Sequence, residues 1–306
     1  MRTMHRPFRY ESDDFTRMCR FVVEDNHARG VRAIWHPGRM VDWKYGLYTP
    51  AKYMPDNFAQ EAELWFDAFG DLCGMVVSED FGPELALLVR QGWEHLAPEM
   101  LAFAKTHWGS RYDSLSFMLP EGEAVLEAAL ANAGFIRTEA LEITHVFETA
   151  RYADTEPAAP DGFRFESMAE NGDYRSHDLL RRSAFNSSRE LELDLLLRDY
   201  TRRSPIYTPQ TDFVLIDTTG RHVSGCEAFI DRWNGIAEIE RVCTLAEEWG
   251  KGYARQVLIG CLRRLHALGI PRAVLAGGYD KTRHLYGSLG HVDAYNRYFY
   301  EWRRQG

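Results

Sequence analysis

AEIERVCTLAEEWGKGYARQVLIGCLRRL, residues 237–265, is the stretch from which the rest of the chain is read. Ala237 to Leu245 is rich in β-branched and apolar residues and predicts a strand. Trp249-Gly250-Lys251-Gly252-Tyr253-Ala254 predicts a glycine-containing turn. From Ala254, apolar residues recur at Val257, Leu258, Cys261, Leu262 and Leu265, the spacing of one buried helix face. Strand, glycine turn and helix N-terminus together make an anion-binding device. Small residues admit a ligand close to the backbone, the first helical N–H groups are unpaired, and the helix dipole adds positive potential. A phosphate or pyrophosphate is therefore expected at Gly250–Ala254. The segment is not a P-loop, because GxxxxGK(S/T) is absent, and Gly250-x-Gly252 lacks the third glycine of a dinucleotide fingerprint.

Trp249-x-x-Gly252-x-Ala254 resembles the acyl-CoA-binding turn of the GNAT superfamily of N-acetyltransferases, written Gln/Arg-x-x-Gly-x-Gly/Ala. The two small positions match, and Trp249 stands where the family has Gln or Arg. Leu285-Tyr286-Gly287-Ser288-Leu289-Gly290-His291 is similar to the family's L-Y-x-x-L-G-F, with His291 in place of the Phe. Tyr279 stands where the family carries an Asn seven residues before the Tyr. The resemblance implies acetyl-CoA as the acyl donor, with no metal. Its pyrophosphate would be held at Trp249, Gly250, Lys251, Gly252, Tyr253 and Ala254, largely by backbone amides. Its pantetheine arm would lie along the main chain of Val242, Cys243 and Thr244.

The chemistry that the resemblance implies is direct attack of an amine on the thioester carbonyl. A carboxylate or ordered water must take the amine proton, a backbone N–H must meet the developing oxyanion, and the leaving thiolate must be protonated. Glu238 and Glu240 alternate on one strand face with Val242 and Thr244, so either is a candidate base or an ordinary sheet-face charge. Glu227 is a third candidate. Tyr286 matches the family's proton donor to the CoA sulfur, since a phenol remains protonated at neutral pH. Cys243 lies in an apolar strand with no identifiable His partner and reads as a core cysteine rather than a nucleophile.

The 306 residues suit two domains of about 150 each, and the 45% hydrophobic content is that of a globular protein. The five cysteines are scattered, with no metal-site spacing, so free thiols in a reducing cytoplasm are expected. No signal-peptide pattern or apolar run of about 20 residues is present, so no membrane association is expected. A net charge of −9 argues against a nucleic-acid partner. The partner expected is a small-molecule or peptide amine, with the protein a monomer or homodimer.

The order of the chain restarts in its middle. Phe163-Arg164-Phe165-Glu166-Ser167 repeats Phe8-Arg9-Tyr10-Glu11-Ser12, Asp217-x-x-Gly220 echoes Asp67-x-x-Gly70, and Leu289-Gly290 echoes Ala133-Gly134, at offsets of 155, 150 and 156. Two copies of one unit are expected, 1–149 and 162–306, joined by a Pro- and Ala-rich linker at 150–161. Each copy reads as a mixed, mostly antiparallel sheet flanked by helices, an α/β (α+β) fold, here two tandem GNAT-like domains. Pro7–Ser12 is expected to be the first strand, and the aromatic stretch 30–58 a packed connector or a lid. The first copy's counterpart of the glycine turn is Val89–Leu96, with Leu96 where the second copy has Gly252. A leucine there occupies phosphate space, so the first copy is expected to be degenerate and the second catalytic. The rival expectation is a non-catalytic acyl-CoA-binding protein; a further one is transfer of another acyl chain or to another acceptor.

Overall fold

The protein is described by a computed structural model covering residues 3–304. The strands are β1 (Met4–Pro7), β2 (Ala62–Phe66), β3 (Leu72–Ser78), β4 (Glu84–Val89), β5 (Ser114–Pro120) and β6 (Ile136–Glu148). They continue as β7 (Arg164–Ser167), β8 (Asp212–Ile216), β9 (His222–Asp231), β10 (Ile236–Thr244), β11 (Arg272–Gly277) and β12 (Asp293–Arg303). Packing divides the described residues into two compact units: those through Ile143 together with those from Tyr295 onward, and Thr144–Ala294.

In the first unit β1 to β4 are successive antiparallel neighbours, β4 pairs parallel with β5, and β12 pairs antiparallel with β5. In the second, β7 to β10 are successive antiparallel neighbours and β10 pairs parallel with β11. Three antiparallel pairings closed by one parallel pairing thus occur twice. Long helices follow β4 and β10, the right place for a crossover to a parallel neighbour.

Three sequence expectations are corrected. The first strand is Met4–Pro7, not Pro7–Ser12. Asp14 accepts the Arg9 amide (2.9 Å) and the Arg6 guanidinium (2.6 and 2.7 Å), which turns the chain after Phe8. The 162–306 domain does not keep its last strand: β12 pairs with β5 from Arg297↔Pro120 to Arg303↔Ser114 and belongs to the first unit. Residues 150–161 are anchored within the second unit rather than forming a free linker. The Tyr152 hydroxyl donates to the Leu289 carbonyl, and the Ala158 amide donates to Gln256 Oε1 at 2.7 Å.

The stretch 30–58 contains the helix Pro37–Lys44 and short 3₁₀ turns. Trp43 and Phe58 are fully buried, with edge-on contacts of Trp43 to Phe8 and Phe58 at 4.8 and 5.1 Å, so this stretch supplies core. Leu96 and Gly252 occupy the same place in their units, the cap before the helices Ala97–His107 and Tyr253–Ala267. Leu96 is buried in the first unit's core, whereas Gly252 has open space where a Cβ would stand.

The helix Tyr253–Ala267 packs Val257, Leu258, Cys261, Leu262 and Leu265 into the second unit's core. Gly260 lets it approach β7: a Cβ there would lie 2.2 Å from the Phe165 ring. On another side of this sheet, the helix Tyr174–Ala184 carries a buried charge network. Asp212 accepts from the Arg181 guanidinium (2.9 Å), the His177 ring (2.8 Å) and the Tyr207 hydroxyl (3.1 Å). Arg181 also reaches Glu227 at 3.1 Å, and Arg241 closes on the same Glu227 oxygen. Burial alone would raise the Asp212 pKa, but Arg181 and His177 outweigh it and hold the carboxyl well below the usual range.

Two outcomes follow. Gly260→Val should overpack the contact with Phe165 and cost about 1–3 kcal/mol, read as a lower urea midpoint with unchanged slope. Arg181→Met should cost about 3–5 kcal/mol at neutral pH by stranding buried carboxylates. Because Asp212 has a depressed folded pKa, its contribution is complete above the unfolded carboxylate value near ~4 and is lost as pH falls below it. The penalty of Arg181→Met, measured by denaturant melts, should therefore hold from pH 7 to about pH 4 and shrink as the pH falls further.

Candidate active site

β10 and β11 are paired only at Ile236↔Arg272, Ala237↔Ala273 and Glu238↔Val274. Beyond Glu238 they part. Against β9, β10 carries a bulge: Glu240 faces Glu227, but Cys243 faces Gly225, so one extra residue is inserted between them. Arg241 takes it up with φ 53°, an uncommon conformation for a non-glycine residue. The ion pair of Arg241 with Glu227 and the contact of its guanidinium with the Phe229 ring at 5.2 Å fix the distortion. The bulge corrects the expected alternation. Cross-strand partners share a face, so Cys243, not Val242 or Thr244, continues the row of Glu238 and Glu240.

A cleft of about 760 Å³ opens within the second unit at this point. Val242, Cys243 and Thr244 at the end of β10 line it, together with Tyr286 and Ser288. Trp249, Gly250, Gly252, Tyr253, Ala254 and Arg255 of the glycine turn and helix start also line it. Gly252 caps the long helix with φ 83°, and no side chain caps the first-turn amides. A ligand can therefore approach those amides over open space, in the field of the helix N-terminus.

Each predicted residue has a definite place. Trp249 is 59% exposed, and its indole Nε1 donates to the Thr244 carbonyl at 2.9 Å. Lys251 is turned to Glu248, Nζ to Oε2 2.7 Å, and does not line the cleft. Ser224 fixes the strand end, donating from Oγ to the Cys243 carbonyl at 2.9 Å and lying 2.8 Å from the Thr244 hydroxyl. Burial pushes the Cys243 thiol up to about 11, as expected of a core cysteine. Tyr286 is 5% exposed and belongs to the helix Asp280–Gly287.

The carboxylates are arranged differently. Glu227 is bound by two guanidinium groups and buried, a structural role. Glu238 is buried and Glu240 half-buried on the same face, and neither lines the cleft. Tyr279, in place of the family's Asn, is 81% exposed. Thr282 caps that helix, its hydroxyl accepting from the Tyr279 amide (3.2 Å) and donating to the Tyr279 carbonyl (2.8 Å). His291 lies 4.9 Å from the His145 ring, which in turn meets Tyr286 edge-on at 6.3 Å. Burial lowers the pKa of His145 and favours a neutral imidazole behind the tyrosine.

Sequence reasoning missed Arg241, whose strand position gave no sign of a bulge, and His145, which is 141 residues from Tyr286 in sequence. It also missed Lys281. This residue lines the cleft, with its ammonium 5.0 Å from the centre of the Trp249 ring.

Residues 175–291 match the profile of the Acetyltransferase (GNAT) family. No curated protein matches the sequence. Among solved structures, a tandem GNAT protein from the clavulanic acid biosynthesis pathway is similar at 15% identity and TM-score 0.67, over 100% of this chain and 99% of that one. A GCN5-related N-acetyltransferase from Sphaerobacter thermophilus is similar at 16% identity and TM-score 0.61, over 99% and 96% of the two chains. An acetyltransferase of the GNAT family from Colwellia psychrerythraea gives 10% identity and TM-score 0.56, over 98% and 99%. At these identities the likeness is one of fold. Residues 175–291 are a GNAT acetyltransferase domain, set in a chain with the fold of a tandem GNAT protein.

Proposed function

We propose that the protein transfers an acetyl group from acetyl-CoA to a primary amine, with one active site in the second unit. The observation that carries this is one cleft, where β10 leaves β11, that is lined by Val242–Thr244, the start of a helix with no side-chain cap, and Tyr286. Leu96, buried at the position of Gly252, supports a first unit that has lost donor binding.

The amides around Gly250–Ala254 take the pyrophosphate of the donor, and the main chain of Val242–Thr244 takes its pantetheine arm. The amine nitrogen then attacks the thioester carbonyl. The new C–N bond forms, the C–S bond breaks, and the Tyr286 hydroxyl donates its proton to the departing thiolate. The amine proton passes to Glu238 or Glu240, through water because neither carboxylate lines the cleft.

A second reading, a protein that binds acyl-CoA without turnover, is favoured by the distance of both carboxylates from the cleft lining and by Trp249 in place of Gln or Arg. Calorimetry with acetyl-CoA tests what the readings share. Gly252→Trp should abolish binding while leaving the circular dichroism unchanged, and no binding by the wild type sinks both. Turnover on an amine panel separates them. Tyr286→Phe should lower kcat by about 10²–10⁴-fold with little change in acetyl-CoA affinity. A loss of similar size in Glu238→Gln or in Glu240→Gln, but not in both, identifies the base.

A further inference from the structure

We propose that Lys281, seated on the Trp249 ring, recognises the phosphorylated nucleotide end of the acyl carrier; this rests on the acyl-CoA reading above. Trp249 is fixed by its bond to the Thr244 carbonyl at 2.9 Å, so its ring stands at the end of β10 beside the glycine turn. Lys281, in the first turn of the helix Asp280–Gly287, reaches across to that ring, with Nζ 5.0 Å from its centre. Both side chains line the cleft that contains Gly250, Gly252 and the first helical amides.

The lysine within the glycine turn is differently disposed. Lys251 is paired with Glu248 at 2.7 Å and lies outside the cleft lining. Lys281 has no carboxylate within ion-pair distance among the described residues. An exposed ring holds an ammonium only weakly, whereas a phosphate beside the helix N-terminus offers a full counter-charge. The ring therefore pre-positions the cation, and a phosphate draws it in. This fits the replacement of a Gln or Arg by a tryptophan. The indole supplies no contact charge itself but holds one contributed by another helix.

The test is calorimetry on the full chain with CoA and with acetyl-pantetheine, which lacks the nucleotide and its phosphates. Lys281→Met should weaken CoA about tenfold, leave acetyl-pantetheine unchanged, and flatten the salt dependence of CoA binding. Trp249→Ala should weaken CoA in the same ligand-selective way, and Trp249→Phe, which keeps a ring, should recover part of the loss. If Lys281→Met binds CoA as the wild type does, or weakens both ligands equally, the inference is overturned while the acyl-CoA reading stands. If the wild type binds neither ligand, the acyl-CoA reading itself is overturned and the inference goes with it.

Discussion

Main-chain pairing between β10 and β11 ends at Glu238↔Val274, and the candidate site depends on that ending. A strand paired on both sides has no backbone groups left for a ligand. Once β11 is gone, the unused donors and acceptors of β10 need another partner. The extra residue at Arg241 bends the strand end and adds a local twist. Arg241 in a left-handed conformation costs roughly 1–2 kcal/mol. The Arg241–Glu227–Arg181–Asp212 chain beneath it makes relaxation to a regular strand unfavourable, because that would break buried ion pairs.

Charges in the second unit are divided by function. Those buried under the sheet neutralise one another and hold geometry. At the cleft, the lining residue Glu248 is neutralised by its pair with Lys251, while the helix end, Arg255 and Lys281 add positive character to the same lining. The walls are main chain and aromatic rings, suited to a long ligand with an anionic head and a weakly polar arm.

Much of this could be read in the sequence because it depends on short-range patterning. The strand, turn and helix of 237–265 follow from residue type and spacing, and the comparison of Gly252 with Leu96 needed only an internal alignment. The errors come from long-range terms. Phe8–Ser12 resembles Phe163–Ser167 in letters, but Asp14 claims its backbone and turns it away from the sheet. Alternation along β10 predicted a continuous face, whereas an inserted residue held by a distant glutamate shifted it. The partnership of Trp249 with Lys281 joins two segments whose proximity no periodicity encodes.

β12 gives the first unit a timing problem. Its pairing with β5 joins residues 177 to 189 positions apart, Arg297↔Pro120 at one end and Arg303↔Ser114 at the other. A ribosome adding ~5–20 residues per second needs on the order of 10 s or more between making one strand and the other. Through that interval β5 lacks its final neighbour and offers a row of open hydrogen-bonding groups beside the apolar side chains Leu115, Phe117 and Leu119. The sheet of the first unit is thus completed only by residues made long after β5.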